Sequence, residues 1–165
     1  MLPMLFPSLR GTCVLLFTLL STAALAEGGR SDSLISPEPV ETVDGRTLVV
    51  LNGDTVFVPG KDRIRLFNID APATVDFRCE RELILGLKAK RRLAELLRAG
   101  PVAIERRDKD PYRRTLGYLR LGDGRDVGRV LLAEGLAMPY RPDKAGEAES
   151  LVTWCGAGQA RAEQR

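Results

Sequence analysis

Asp54, Arg65 and Asp70 are the residues of this 165-residue chain whose types and spacing suit chemistry on a phosphate. Two carboxylates at neighbouring strand ends can share one hard cation, which takes oxygen ligands. A guanidinium beside them suits a phosphate held on that cation, because its planar fork matches two oxygens at once. Taken singly, Gly53-Asp54 is ordinary turn chemistry, and Asp70-Ala71-Pro72 ordinarily stops a strand. The chain contains no histidine, which excludes a histidine base and any Ser-His-Asp arrangement.

The elements that must position these residues follow from pattern. Thr55 to Val58 and Ile64 to Ile69 are β-branched and apolar, and Pro59-Gly60-Lys61-Asp62 between them reads as a hairpin loop. Thr47 to Leu51, Pro101 to Arg107 and Thr115 to Leu121 read as further strands. Gly86, Ala89, Leu93 and Leu96/Leu97 recur at helical spacing, with Leu83 and Leu87 one stripe over. Gly100-Pro101 ends that helix. Asp126 caps a short helix running to Glu134, with Gly135 as its stop. Near the C-terminus, Leu151-Val152 and Trp154-Cys155 predict a last helical turn docked on the body of the domain.

The turn Asn52-Gly53-Asp54-Thr55, the strand end Arg65-Leu66-Phe67-Asn68-Ile69-Asp70-Ala71-Pro72 and the segment Asp110-Pro111-Tyr112-Arg113-Arg114 stand in one order along the chain. Together they resemble the staphylococcal-nuclease-like (thermonuclease) family, over roughly Val43 to Pro142. Leu136-Ala137-Met138-Pro139-Tyr140 is similar to a later family segment. The resemblance implies an α+β fold: a five-stranded OB-type β-barrel with about three helices. OB barrels bind oligonucleotides and oligosaccharides, so the fold alone does not choose a function.

The resemblance also implies roles. Asp54, Asp70 and the carbonyl of Ala71 would hold Ca²⁺, and Arg65 and Arg114 would hold phosphate oxygens as charge builds at phosphorus. Tyr112, Arg113 and Tyr140 would lie against the nucleotide. The implied partner is DNA or RNA read with little sequence preference. Four positions depart from the pattern. Asn52 replaces an aspartate, Arg113 replaces a glycine, and Gly128 replaces a helix asparagine. Ala73 stands where the family has the glutamate assigned as base or water-positioner, and that help is typically worth about 10²–10⁴-fold. Asp76 and Glu80 follow on the next loop as candidate substitutes. Two functions are therefore expected: a Ca²⁺-dependent nuclease impaired at Ala73, or an inactive nuclease-fold module binding nucleic acid or another anionic polymer. Some exported relatives carry names linked to exopolysaccharide production.

Composition sets the context. Arg10, the apolar run Cys13 to Leu20 and Ala24-Leu25-Ala26 form a signal-peptide pattern over residues 1–26. The apolar run is too short for a membrane span of about 20 residues. The expectation is an exported, monomeric protein, periplasmic or secreted. It has a flexible leader at 27–40, the barrel domain at 41–142 and a partly docked C-terminal segment at 143–165. From Arg78 to Arg120 there are 13 Lys/Arg against 6 Asp/Glu, a local +7, which favours a polyanionic partner. Singly, Lys88, Lys90, Arg91 and Arg92 read equally well as a solvated helix face. Cys79 and Cys155 remain after cleavage, and an even pair in an exported protein reads as a disulfide.

Overall fold

The structure, a computed structural model, describes residues 40–158. The expected signal peptide at 1–26, most of the expected leader at 27–40 and the tail beyond Gly158 lie outside the described residues. Among the described residues the elements follow in the order β1 Glu41–Asp44, β2 Val49–Asn52, β3 Thr55–Phe57, β4 Arg63–Leu66, β5 Ile69–Asp70, α1 Glu80–Arg98, β6 Pro101–Lys109, β7 Thr115–Leu121, α2 Val127–Ala133, β8 Met138–Pro139 and α3 Lys144–Cys155. A 3₁₀ turn, Gly45–Thr47, joins β1 to β2.

Six strands form a curled mixed sheet in the order β1-β6-β7-β4-β3-β2, and β5 pairs with β8 as a separate ribbon. The fold is α+β and OB-like, as the sequence predicts. All pairs in the large sheet are antiparallel except β4 with β7. That parallel pair is possible because α1 and β6 make the long crossover it needs. Alternation along β4 sends Ile64 and Leu66 into the core and Arg65 to the opposite face. Ile64, Leu93, Ile104 and Leu119 are fully buried, so the core sits between the concave sheet and α1.

The helical stripe holds: Gly86, Ala89, Leu93, Leu96 and Leu97 are all buried on α1. Leu87 is not part of it and lies 52% exposed. The predicted strand from Ile64 to Ile69 is two strands in two sheets, broken where Asn68 takes a left-handed φ of 63°. Asparagine tolerates that conformation better than most residues. The strand β1 has no counterpart in the five expected, because four residues offer too little periodicity. Thr47 belongs to the 3₁₀ turn rather than to a strand. The predicted last helical turn is the end of a 12-residue helix, α3. Its N-cap is Asp143, whose Oδ1 accepts from Gly146 N at 2.7 Å. Ala-rich composition hid that start, since only Leu151 and Trp154 give it a buried apolar side. Cys79 and Cys155 are disulfide-bonded, tying the residue before α1 to the last residue of α3.

Candidate active site

The β2–β3 turn carries Asp54, and it is seated on α1. A side chain at Gly53 would meet Ala89 Cβ at 2.6 Å and Ala71 Cβ at 2.9 Å, so only glycine lets the turn approach this closely. The Asp54 carbonyl accepts from Leu66 N at 2.7 Å, which fixes the turn to β4. Thr55 Oγ1 donates to Asp54 Oδ1 at 2.8 Å and orients the carboxylate.

Arg65 is buried between the two aspartates. Its Nη2 lies 3.2 Å from Asp54 Oδ2 and 3.2 Å from Asp70 Oδ1. Its Nη1 donates to the Ile69 carbonyl at 2.8 Å, across the break between β4 and β5. The break at Asn68 thus serves the site: it turns the chain so that Arg65 reaches backbone and Asp70 returns beside Asp54. Tyr140, following β8, covers the guanidinium with its ring centroid 4.8 Å from Cζ. Tyr140 N donates to the Asn68 carbonyl and holds that cover in place.

Two carboxylates facing one guanidinium leave excess negative charge in a poorly hydrated place. Burial, and then the charge of Asp54, push the Asp70 carboxyl above its ordinary range; Arg65, Ser150 and Trp154 draw it partly back. The Nε1 of Trp154 is itself buried without a closed hydrogen bond. This donor set, hard oxygens with residual negative charge, fits a divalent cation such as Ca²⁺. The other metal-sized grouping among the described residues is Cys79, Glu82 and Cys155. It offers no thiolate, because both sulfurs are spent in the disulfide.

Asp70 and Ala71 open onto a cleft of about 520 Å³ also lined by Ala73, Arg78, Tyr112 and Tyr140. Arg114 stands outside the carboxylate cluster. Its Nε donates to Asp110 Oδ2 at 2.6 Å, and its Cζ lies 5.4 Å from the Tyr112 ring centroid. Asp110 also accepts from Tyr112 N and Arg114 N, both at 2.9 Å, so this loop is wound around one carboxylate. Burial alone would raise the Asp110 carboxyl, but these bonds outweigh it and hold it low. Arg113 is exposed in the same loop with φ 64°. A left-handed arginine costs about 1–2 kcal/mol, partly offset by glycine's greater freedom in the unfolded chain. Arg113→Gly should therefore stabilise the protein by about 0.5–1 kcal/mol in denaturant titration; no gain would show that the loop holds this conformation without strain.

Neither candidate for the missing glutamate reaches the cleft. Asp76 is exposed at φ 57°, and Glu80 is exposed in the first turn of α1. Besides Asp70, the cleft is lined by the carboxylates of Glu82, Asp143 and Glu147; Asp143 caps α3, Glu147 is exposed on its first turn, and Glu82, beside Ala73, is fully buried. Glu82 accepts from Arg78 N at 2.7 Å, Arg78 Nε at 3.1 Å and Arg78 Nη2 at 2.6 Å, and makes a long contact to Ala73 N. Burial would raise its pKa, but the Arg78 bonds prevail and hold it low. Saturated and weakly basic, Glu82 anchors the loop from Ala73 to Cys79 rather than acting as a base. The sequence signal for it was weak, since a glutamate in a first helical turn is ordinarily a surface residue. A side chain at Gly86 would meet the Pro72 and Ala73 carbonyls at 2.6 and 2.7 Å, so the same loop also needs that glycine.

Comparison with known proteins bears on this arrangement. A Rhizobium meliloti (strain 1021) protein named succinoglycan biosynthesis protein ExoI is 31% identical over 126 residues, 69% of this chain and 63% of its own. Micrococcal nuclease of Shigella flexneri is 32% identical over 113 residues, 63% of this chain and 58% of its own. An uncharacterized endonuclease of Escherichia coli O157:H7 is 32% identical over 101 residues, 59% and 61% respectively. The matches span about three-fifths of each relative's length. The family described as staphylococcal nuclease homologue matches residues 63–164, from β4 through α3. With most of the candidate site and all three helices inside that match, the chain belongs to the staphylococcal nuclease homologue family.

Proposed function

We propose that the protein is an exported, calcium-dependent nuclease that hydrolyses phosphodiester bonds of DNA or RNA slowly and with little sequence preference. The observation that carries this reading is the buried Asp54–Arg65–Asp70 cluster at the wall of an open cleft. A fold kept only for binding would gain nothing from burying two carboxylates on one arginine, an arrangement that costs desolvation.

Asp54, Asp70 and the Ala71 carbonyl would hold the ion. Bound there, Ca²⁺ neutralises substrate charge and supplies a polarised water. Arg65, locked by the Ile69 carbonyl, keeps Nη2 beside Asp70 to donate to a phosphate oxygen as negative charge develops. Arg114 keeps Nε on Asp110, while its Nη atoms make no hydrogen bond among the described residues and can grip a second oxygen. Tyr112, 80% exposed, and Tyr140, 48% exposed, offer ring faces to the sugar and base. Ala73 offers no proton acceptor where the family has its glutamate, and the neighbouring Glu82 is saturated by Arg78. Slow turnover follows. A second reading, binding without turnover, rests on that same alanine.

The deciding assay is hydrolysis of single-stranded DNA and RNA with Ca²⁺ and with chelator, beside Asp70→Asn and Ala73→Glu. Calcium-dependent cleavage that disappears in Asp70→Asn is the expected result. Ala73 lines the cleft, so Ala73→Glu should raise the rate about 10²-fold or more. Inertness of both the parent and Ala73→Glu would leave the binding reading standing.

A further inference from the structure

A second concave surface shares no residue with the cleft. The 3₁₀ turn, β2 and the outer face of α1 enclose a groove of about 440 Å³. Its floor is apolar, built from Leu48, Val50, Leu87 and Leu97, and Leu87 is half out of the core. Its rim carries Arg46, Lys90, Arg91 and Arg98, and no carboxylate lines it. Arg46 is neutralised by Asp44 at 3.0 Å. Lys90, Arg91 and Arg98 pair with no carboxylate among the described residues. Other arginines of the same helix are engaged: Arg92 with Glu134 and Glu95, and Arg81 with the carbonyls of Thr153 and Trp154. An ordinary solvated helix face would intersperse its charges with partners. This one leaves three cations over an apolar trough.

Short covalent and hydrogen-bonded links join the wall of the groove to that of the cleft, although the two share no lining residue. Val50 and Asn52 share β2, and Thr74 Oγ1 donates to Asn52 Oδ1 at 2.6 Å. Thr74 is the neighbour of Ala73, which lines the cleft. A strand that passed from the cleft over the Asn52–Thr74 pair would be led along β2 toward the groove.

We propose that this groove is a second binding track for single-stranded nucleic acid, continuing the strand whose phosphate sits in the cleft; it rests on the nuclease reading of that cleft. Lys90, Arg91 and Arg98 take successive phosphates, and the floor receives base edges. No aromatic residue lines the groove, so the track reads backbone charge rather than sequence.

The test compares the parent with the variant K90Q/R91Q/R98Q, by anisotropy of a labelled long oligothymidylate in chelator and by hydrolysis of dithymidylate in Ca²⁺. Three phosphate contacts contribute about 2 to the slope of log affinity against log salt. The parent should therefore lose about 20-fold more affinity than the variant between roughly 50 and 200 mM salt. Dithymidylate, too short to reach the groove, should be cut at an unchanged rate. Equal slopes and affinities in parent and variant overturn the proposal. A parent that cuts no substrate, with the slope still reduced in the variant, supports the groove and removes the nuclease reading instead. Should the triple variant lose its cooperative unfolding, R91Q/R98Q keeps the half-buried Lys90 and should lower the slope by about 1.4.

Discussion

Arg65→Gln is expected to destabilise the metal-free protein by about 3–5 kcal/mol and to slow hydrolysis by at least about 10²-fold. The first effect follows from burial. Removing the one cation between Asp54 and Asp70 leaves two carboxylates uncompensated, each 3.2 Å from the lost Nη2. Asp70 already has a raised pKa from burial and from Asp54, and its raised value sets the sign of the pH dependence. The stability that the protonated group contributes is fully present below its unfolded pKa and is lost as pH rises through the folded one. Without Arg65 that loss should be larger, so the gap between parent and variant should widen with rising pH. Added Ca²⁺ should recover more stability in the variant than in the parent, because the ion takes over the missing positive charge. Thermal unfolding in chelator and in Ca²⁺, from about pH 4 to 8, reads all three effects. A penalty that is the same across that range and indifferent to Ca²⁺ would mean the carboxylates do not act as one site.

Replacing both Cys79 and Cys155 by serine should cost about 4.5 kcal/mol by the chain-entropy argument for the loop they close, given their separation of 76 residues. Serine isolates the cross-link, because Cys79 also caps α1 by accepting from Glu82 N at 3.3 Å, and a serine hydroxyl can do the same. The consequence should concentrate in α3. A 12-residue helix is marginal on its own, and beyond the disulfide α3 is held chiefly by Leu151, Trp154 and Ser150, the last accepting from Arg78 Nη2 at 2.9 Å. Trp154 is the chain's single tryptophan, so its emission should shift to the red as the helix loosens. Ser150 and Trp154 help to draw the Asp70 carboxyl down, so the release should also weaken the proposed Ca²⁺ binding. A drop in unfolding temperature on the order of 15 °C is expected. Emission and unfolding temperature matching the parent's would show that packing alone seats α3.

How much of this was legible beforehand depends on the range of the signal. The α1 stripe, the Asp126 cap and β7 were readable because each rests on neighbours within a few residues, where periodicity and capping act. Asp54, Arg65 and Asp70 were readable as a set because turn and strand-end residues are chemically distinctive, and the resemblance supplied their roles. The helix α3 was only half visible, since its buried apolar side is two residues, Leu151 and Trp154, and its first two turns are small and charged residues. Glu82 was invisible as a cleft residue. Its burial exists only because Arg78, the Ala73 loop and α3 close around it, contacts separated by up to 72 residues in the chain.

Sequence alone determined the elements, the family pattern and the loss of the acid at Ala73, because these reside in local order and residue type. Tertiary structure alone decided which carboxylates share a cation, that Asp76 and Glu80 lie exposed outside the cleft lining, and that Glu82 is spent on Arg78. It also decided that α1 shows three unpaired cations to a groove while its other arginines are engaged. The physical reason is common to all of these. Desolvation and pairing depend on what surrounds a charge in space, and only the folded chain brings those surroundings together.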